Sequence, residues 1–341
     1  MAYDWTPKKF FSLQQEVWKA KVIQTAVELD LFTVLTRQSH LTVNQLTSEL
    51  KTDLRATGML ISALASLELL EIDEEKIKLS ESAKRYLSKD SSDYFGYIIL
   101  HQSDILPNWT KLTEAVKTGS PPLTQENKPQ DLKVADLAPE ETIRNFLLGM
   151  FNVAVQQACI VAEALDLKKA RRLLDLGGGP GAYSAYFCAK NPHLTAVVFD
   201  QPGSEKIATS VLEKLNVHHR VSFMGGDFLT SHLPEGFDAL WLSQVLHGEN
   251  PNDAALLVKR GFSTLNQGAI AAIQEFVLDN DRQGPEGPAL FALNMLVQTK
   301  GGRVYTLAEI EDMLKEAGAV EIRELKATLP PGTRIILGQK P

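Results

Sequence analysis

The sequence predicts an α/β chain in which a doubly wound sheet with an antiparallel last strand follows an all-helical, winged-helix N-terminal domain. Three observations carry that prediction. From Arg171 onward, short apolar runs alternate with stretches of helical periodicity, the pattern of a mostly parallel sheet covered by helices. The first run, Leu173-Leu174-Asp175-Leu176, breaks into Gly177-Gly178-Gly179-Pro180-Gly181 and then into a helical stretch with Tyr183, Tyr186 and Phe187. The last two runs, 319–326 and 333–338, have only Pro330-Pro331-Gly332 and a few neighbours between them. That is too short for a parallel crossover, so they must pair as a hairpin.

The N-terminal elements come first in the chain. Residues 12–35 carry apolar positions at helical spacing, among them Trp18, Ile23 and Phe32, more than one helix face needs, which suggests a subunit interface. Thr42 then caps a helix through about Leu50, and Thr52 or Asp53 opens a second through about Leu67. Two short strands, Leu69–Ile72 and Lys76–Leu79, flank the acidic turn Asp73-Glu74-Glu75, and Ser80 begins another helix. Three helices and a β-wing raise the question of DNA binding. Acidic and basic residues are balanced across 1–90, and the second helix carries one basic residue, Arg55, beside Met59, Leu60, Ile61, Leu64 and Leu67. Reading phosphates needs a basic stripe. Dimerisation is the better reading, and a homodimer without nucleic-acid binding is expected.

Composition bounds the rest. A chain of 341 residues, 44% hydrophobic and 23% charged, is an ordinary two-domain globular protein, and a formal charge of -7 argues against nucleic-acid or anionic-membrane surfaces. The two cysteines, Cys159 and Cys188, sit in apolar helical contexts and read as buried in a reducing compartment. Met-Ala-Tyr-Asp-Trp lacks a signal-peptide pattern, and no apolar run approaches the roughly 18 residues of a membrane span. A cytoplasmic protein that does not contact membranes is expected.

A helical segment, 91–168, links this 1–90 domain to the 169–341 domain. Asp93–Leu112 reads as an aromatic-rich helix, with Trp109 a candidate pocket wall. Gly119-Ser120-Pro121-Pro122 is a turn, and the polar stretch to Pro139 reads as a loop. Pro139-Glu140-Glu141 starts a helix to about Leu165, with Phe146, Met150, Val153 and Ala154 on one stripe, which either packs the core or faces a ligand. Beyond it, strands are expected at 171–176, 195–200, 220–224, 237–243, 268–276, 319–326 and 333–338, with 277–305 inserted after the fifth.

The strand ends carry the chemistry. Glycines after an apolar strand let the backbone turn and let a ligand lie against main-chain N–H groups at a helix N-terminus. Asp200 ends the second strand, where an acid can accept hydrogen bonds from ribose hydroxyls. Asp227 and Phe228 follow the third, placed for an exocyclic amine and a base. For each acid alone, capping its own turn is the alternative; together they fit an adenosine-type ligand. Gly177, Gly179 and Ala182 also satisfy a dinucleotide spacing.

Asp175 two residues before the first glycine, Pro180 within the loop, and the antiparallel last strand resemble the class I S-adenosylmethionine-dependent methyltransferases and their Rossmann-like sheet. The whole chain is similar to the two-domain small-molecule O-methyltransferases of the caffeate and acetylserotonin type. That resemblance implies a glycine loop at Gly177, Gly179 and Gly181 around S-adenosyl-L-methionine. It further implies Asp200 at the ribose, Gln201 beside it among the cofactor-binding residues, Asp227 and Phe228 at adenine, Met150 and Phe146 near the methyl donor, and Ser243 where plant members often carry a lysine. His247, in Leu246-His247-Gly248-Glu249, matches the family's general base, although Gly248 replaces the usual aspartate. Glu275 matches an acid that orients it, where a glutamine would still orient the ring; a second family acid is replaced by Val304. The alternative for His247 is a structural histidine at a strand end. A small-molecule acceptor, aromatic or apolar, would lie among Trp109, Phe146, Met150, Phe291, Asn294 and Met295. Carbon or sulfur methyl transfer, or ligand sensing without catalysis, are the competing functions. The other histidines, at 40, 101, 193, 218, 219 and 232, read as surface, and Asp279-Asn280-Asp281 reads as a solvated turn, so no metal is implied.

Overall fold

The computed structural model describes residues 5–122 and 140–341; the loop expected up to Pro139 lies mostly outside them. Two compact units divide the chain, Met1–Asp104 and Ile105–Pro341.

In the first unit, the single long helix expected over 12–35 is two: α1 (Pro7–Glu28) and α2 (Leu31–Arg37). Asp30 separates them in the left-handed region at φ 57°, which no helix can pass through. Two further helices follow, α3 (Val43–Leu50) and α4 (Leu54–Ser66). Thr42 and Gln45 close a capping box on α3, and Asp53, rather than Thr52, caps α4 through Ala56 N–H. β1 (Leu70–Asp73) and β2 (Lys76–Leu79) pair antiparallel as the wing, and α5 (Glu81–Leu87) starts at Ser80. Ala26, Val27, Leu31, Phe32, Ile61, Leu64 and Ile77 form this unit's core. The outer end of α1 stays uncovered: Trp18 is 64% exposed and Phe11 63%. His101, on α6 (Gly96–Trp109), corrects its surface reading. It is buried, and burial pushes the imidazole down to about 4.

The second unit continues through the end of α6, α7 (Leu112–Thr118) and α8 (Glu140–Ala164) into the sheet. β3 (Arg172–Leu176), α9 (Ala182–Lys190), β4 (Thr195–Asp200), α10 (Glu205–Lys214), β5 (Val221–Gly225), β6 (Phe237–Ser243), α11 (Pro251–Ser263) and β7 (Leu265–Leu278) alternate as expected. The insertion holds α12 (Glu286–Gln298) and the short β8 (Tyr305–Thr306); α13 (Leu307–Glu316), β9 (Val320–Leu325) and β10 (Thr333–Gln339) close the chain. Strand order is β5-β4-β3-β6-β7-β10-β9, with β8 against β7. β10 runs antiparallel to both neighbours, as the short final connection requires. Connections leave β3 toward one edge and β6 toward the other, so the carboxyl ends of these two strands flank a topological switch point, where open α/β sheets bind ligands. Strand alternation sends Leu240 and Leu242 into one core layer and Ala239 and Trp241 into the other.

Two expectations change here. Cys159 is exposed on α8, because helical periodicity turns it away from the buried neighbours Gln157, Ala158 and Val161; Cys188 is buried, and burial pushes its thiol up to about 11. α8 is also long and apolar enough to cross a membrane by length and composition. In this unit it packs against α9 and buries Asn145 and Gln157.

Candidate active site

β3 delivers the glycine loop to the switch point. Gly177 sits at φ 74°, and a Cβ there would meet Val245 Cγ2 at 2.4 Å, so both conformation and space require glycine. Gly179, at φ 51°, has no atom nearer to such a Cβ than Asp200 Oδ2 at 4.0 Å, so the loop is open on that side. Gly181 is the residue before α9, whose first N–H groups face the loop. Beneath it, Asp175 is 1% exposed and accepts from Ser184 Oγ at 2.7 Å. Burial pushes its carboxyl up to about 7.

Asp200 reaches across from β4. Its Oδ2 accepts from Gly179 N at 2.6 Å and its Oδ1 from Gln201 N at 2.6 Å, while burial pushes the carboxyl up. Gln201 is buried with its Nε2 unpartnered in the structure. An open glycine cradle, an acid spanning it and an orphaned amide donor fit the polar edge of a nucleoside. Asp227 turns its carboxylate onto its own loop, accepting from Leu229 N at 2.8 Å. Phe228 is buried among core residues of the layer containing Phe199 and Phe237. Ser243, half-buried, ends β6 in register with Gln274.

Directly after β6, Gln244 takes φ 58° and the chain tightens into a one-turn helix at Leu246–Gly248. This brings His247 to Glu275 near the end of β7: Nδ1 lies 2.8 Å from Oε2. Glu275 is 1% exposed, and its Oε1 accepts from the N–H groups of Val245 at 2.8 Å and Leu246 at 2.7 Å. An ionised carboxylate only accepts, so against it Nδ1 is the donor, and in the neutral imidazole that arrangement leaves the lone pair on Nε2. The Phe291 ring meets the imidazole edge-on at 4.8 Å and also contacts Phe276 at 4.7 Å. One turn along α12, Asn294 Oδ1 accepts from Trp109 Nε1 at 2.8 Å. Met295, on the same helix, is buried.

Phe146 and Met150 are half-buried on α8. Sequence reasoning missed their companion Gln157, which continues that helical face seven residues beyond Met150. Its Oε1 accepts from Gln274 Nε2 at 3.0 Å, and the same Nε2 donates to Tyr183 OH at 3.0 Å. This buried trio ties α8 and α9 to the strand that carries Glu275. A polar residue on the apolar stripe was the available signal; its partner Gln274, 117 residues away and itself 91 residues from Tyr183, was not.

Comparison with known proteins follows the same division. A family model described as an O-methyltransferase domain matches residues 109–319, and one described as an O-methyltransferase dimerisation domain matches residues 11–95. The chain is 30% identical over 335 residues to a 3-hydroxy-5-methyl-1-naphthoate 3-O-methyltransferase of Streptomyces sahachiroi, covering 98% of this chain and 95% of that protein. It is 28% identical to the acetylserotonin O-methyltransferase of Gallus gallus, over 93% of each. Human N-acetylserotonin methyltransferase, solved in complex with SAM, shares the fold at a TM-score of 0.86 and 24% identity, covering 100% of this chain and 99% of that one.

Proposed function

From the premise that this chain belongs to the O-methyltransferase family, with methyltransferase and dimerisation domains both present, we propose that it methylates a hydroxyl of a small aromatic acceptor, with His247 as general base. It is an S-adenosylmethionine-dependent enzyme acting on small molecules. When bound, S-adenosylmethionine supplies an electrophilic methyl group on a sulfonium. Gly177, Gly179 and Gly181, with Asp200 and Gln201, are the residues proposed to hold it, and Asp227 and Phe228 lie at the adjoining strand end.

The acceptor's hydroxyl is assigned to the space before His247 Nε2, walled by Phe291, with Trp109, Asn294, Phe146, Met150 and Met295 as its further surroundings. Nε2 takes the proton as the oxygen attacks; Glu275 holds the ring and stabilises the imidazolium that results. An imidazole whose Nδ1 is held by a carboxylate presents Nε2 toward the acceptor, the geometry that transfer needs. The single observation that carries this reading is the 2.8 Å contact from His247 Nδ1 to a buried carboxylate already taken up by two main-chain N–H groups. The naphthoate-methylating relative supports a phenolic acceptor. Incubation of the full chain with methyl-labelled S-adenosylmethionine and a panel of hydroxynaphthoates and phenols tests it. Methyl ethers identified by NMR support the reading; label found only on carbon, nitrogen or sulfur overturns it.

The same proposal includes a homodimer through the Met1–Asp104 unit, supported by its dimerisation-domain match and the uncovered aromatic face of α1.

A further inference from the structure

The histidine is gripped from a second side by the segment around Val304, where the sequence offers no second acid. Arg303 N–H donates to His247 O at 2.8 Å, and Tyr305 OH donates to Glu249 O at 2.7 Å. Tyr305 is 1% exposed, its burial pushes the phenol well above the ordinary range, and it is pinned by β8, where it pairs in register with Val277 of β7. Between them and the turn there is no spare room. A Cβ on Gly302 would stand 2.5 Å from His247 O and 3.1 Å from Gly248 C, both backbone atoms, so only glycine allows this approach. Gly302 N–H in turn donates to Thr299 Oγ1 at 2.9 Å, closing the segment onto the end of α12.

The two grips are complementary. Glu275 takes the N–H groups on the amide side of the turn, at Val245 and Leu246; Arg303 and Tyr305 take its carbonyls, at His247 and Glu249. Val304, buried between those two residues, offers no charge to the ring. We propose that Tyr305 is a positioning residue for His247, acting with the Gly302–Arg303 main chain to fix the carbonyl side of the Leu246–Glu249 turn, so that a single acid suffices to orient the base. The role rests on the assignment of His247 as base.

Tyr305→Phe removes one hydrogen bond and keeps the ring in place. The test follows the downfield proton NMR signal of His247 Nδ1–H in the full-length protein, assigned by its loss in His247→Asn. Alongside it, kcat is measured with whichever hydroxyarene the wild type methylates. Loss of one neutral hydrogen bond corresponds to about fivefold. Tyr305→Phe is expected to speed solvent exchange of the Nδ1 proton by about that factor and to lower kcat comparably, with the KM for S-adenosylmethionine unchanged. Gly302→Ala, which must displace the turn, is expected to do more of both. An Nδ1 signal with wild-type exchange in Tyr305→Phe overturns the proposal whatever becomes of Gly302→Ala, as does equal loss of donor binding and turnover. Failure of the base assignment itself is separate: His247→Asn would then keep wild-type turnover, while the exchange measurement still reports on positioning.

Discussion

Glu275→Gln is the substitution whose outcome the geometry determines most sharply. The carboxylate accepts three donors: two main-chain N–H groups on Oε1, at 2.8 and 2.7 Å, and His247 Nδ1 on Oε2, at 2.8 Å. A glutamine has one accepting end and one donating end. With its oxygen on Val245 and Leu246, the amide NH2 points at Nδ1, and the ring must offer Nδ1 as acceptor and carry its proton on Nε2. The opposite orientation aims NH2 at two N–H donors, and each buried group left unsatisfied costs about 1–3 kcal/mol. The first orientation wins, so the fold survives while His247 enters the tautomer that the proposed base role cannot use. Turnover should therefore fall by about 10²–10⁴-fold, the whole share of general base catalysis. A tautomer-inverting change of the orienting acid in a Ser-His-Asp triad costs about 10⁴. Sequence alone suggested the milder outcome, a glutamine still able to orient the ring, because the two main-chain donors were invisible there. Single-turnover rates at saturating labelled donor, with thermal unfolding alongside, give the assay. Glu275→Gln within a few-fold of His247→Ala and close to the wild-type melting temperature is expected. Retention of more than about a tenth of wild-type rate, with His247→Ala deeply impaired, would refute the tautomer argument.

Other expectations follow from the same structure. Asp200→Ala removes the acceptor that spans the glycine loop, and calorimetry should show S-adenosylmethionine binding weakened by about 10–100-fold, the scale of hydrogen bonds to a charged group; unchanged affinity would remove Asp200 from the site. Asp175, held protonated up to about 7 against an ordinary 3.8, binds more proton when folded than unfolded across that interval, so its contribution to stability falls as pH rises from about 4 to 7. The wild-type melting temperature should decline relative to Asp175→Asn over that range; a flat or rising difference counts against the buried acid. Trp18→Asp, on the exposed face of α1, should convert a sedimenting dimer to monomer, whereas a wild-type chain that is already monomeric ends the dimer proposal.

The parallel sheet was legible because its strands are near-continuous apolar runs, bounded by glycine and acids at their carboxyl ends. Its antiparallel edge was legible from a connection too short to cross over. The break at Asp30 was not, since a left-handed residue within an apolar helical pattern leaves no periodic trace. His101 and Cys159 were misassigned for a related reason: which face of α6 or α8 is covered depends on partners distant in sequence. The same holds within the site. His247 and Glu275 each sat at a strand end and could be paired by inspection, yet the Gln157–Gln274–Tyr183 trio and the Tyr305 contact join elements whose adjacency only the fold creates. Phe228 followed the adenine-site pattern, while its ring packs in the core.

The most direct test of the central assignment compares wild type with His247→Asn in single-turnover methyl transfer to two acceptors, one weakly acidic phenol and one already ionised at the assay pH. If Nε2 removes the hydroxyl proton, the variant loses about 10²–10⁴-fold on the weakly acidic phenol, little on the ionised one, and nothing in donor affinity. Equal loss on both acceptors, or none on either, would contradict a base at His247.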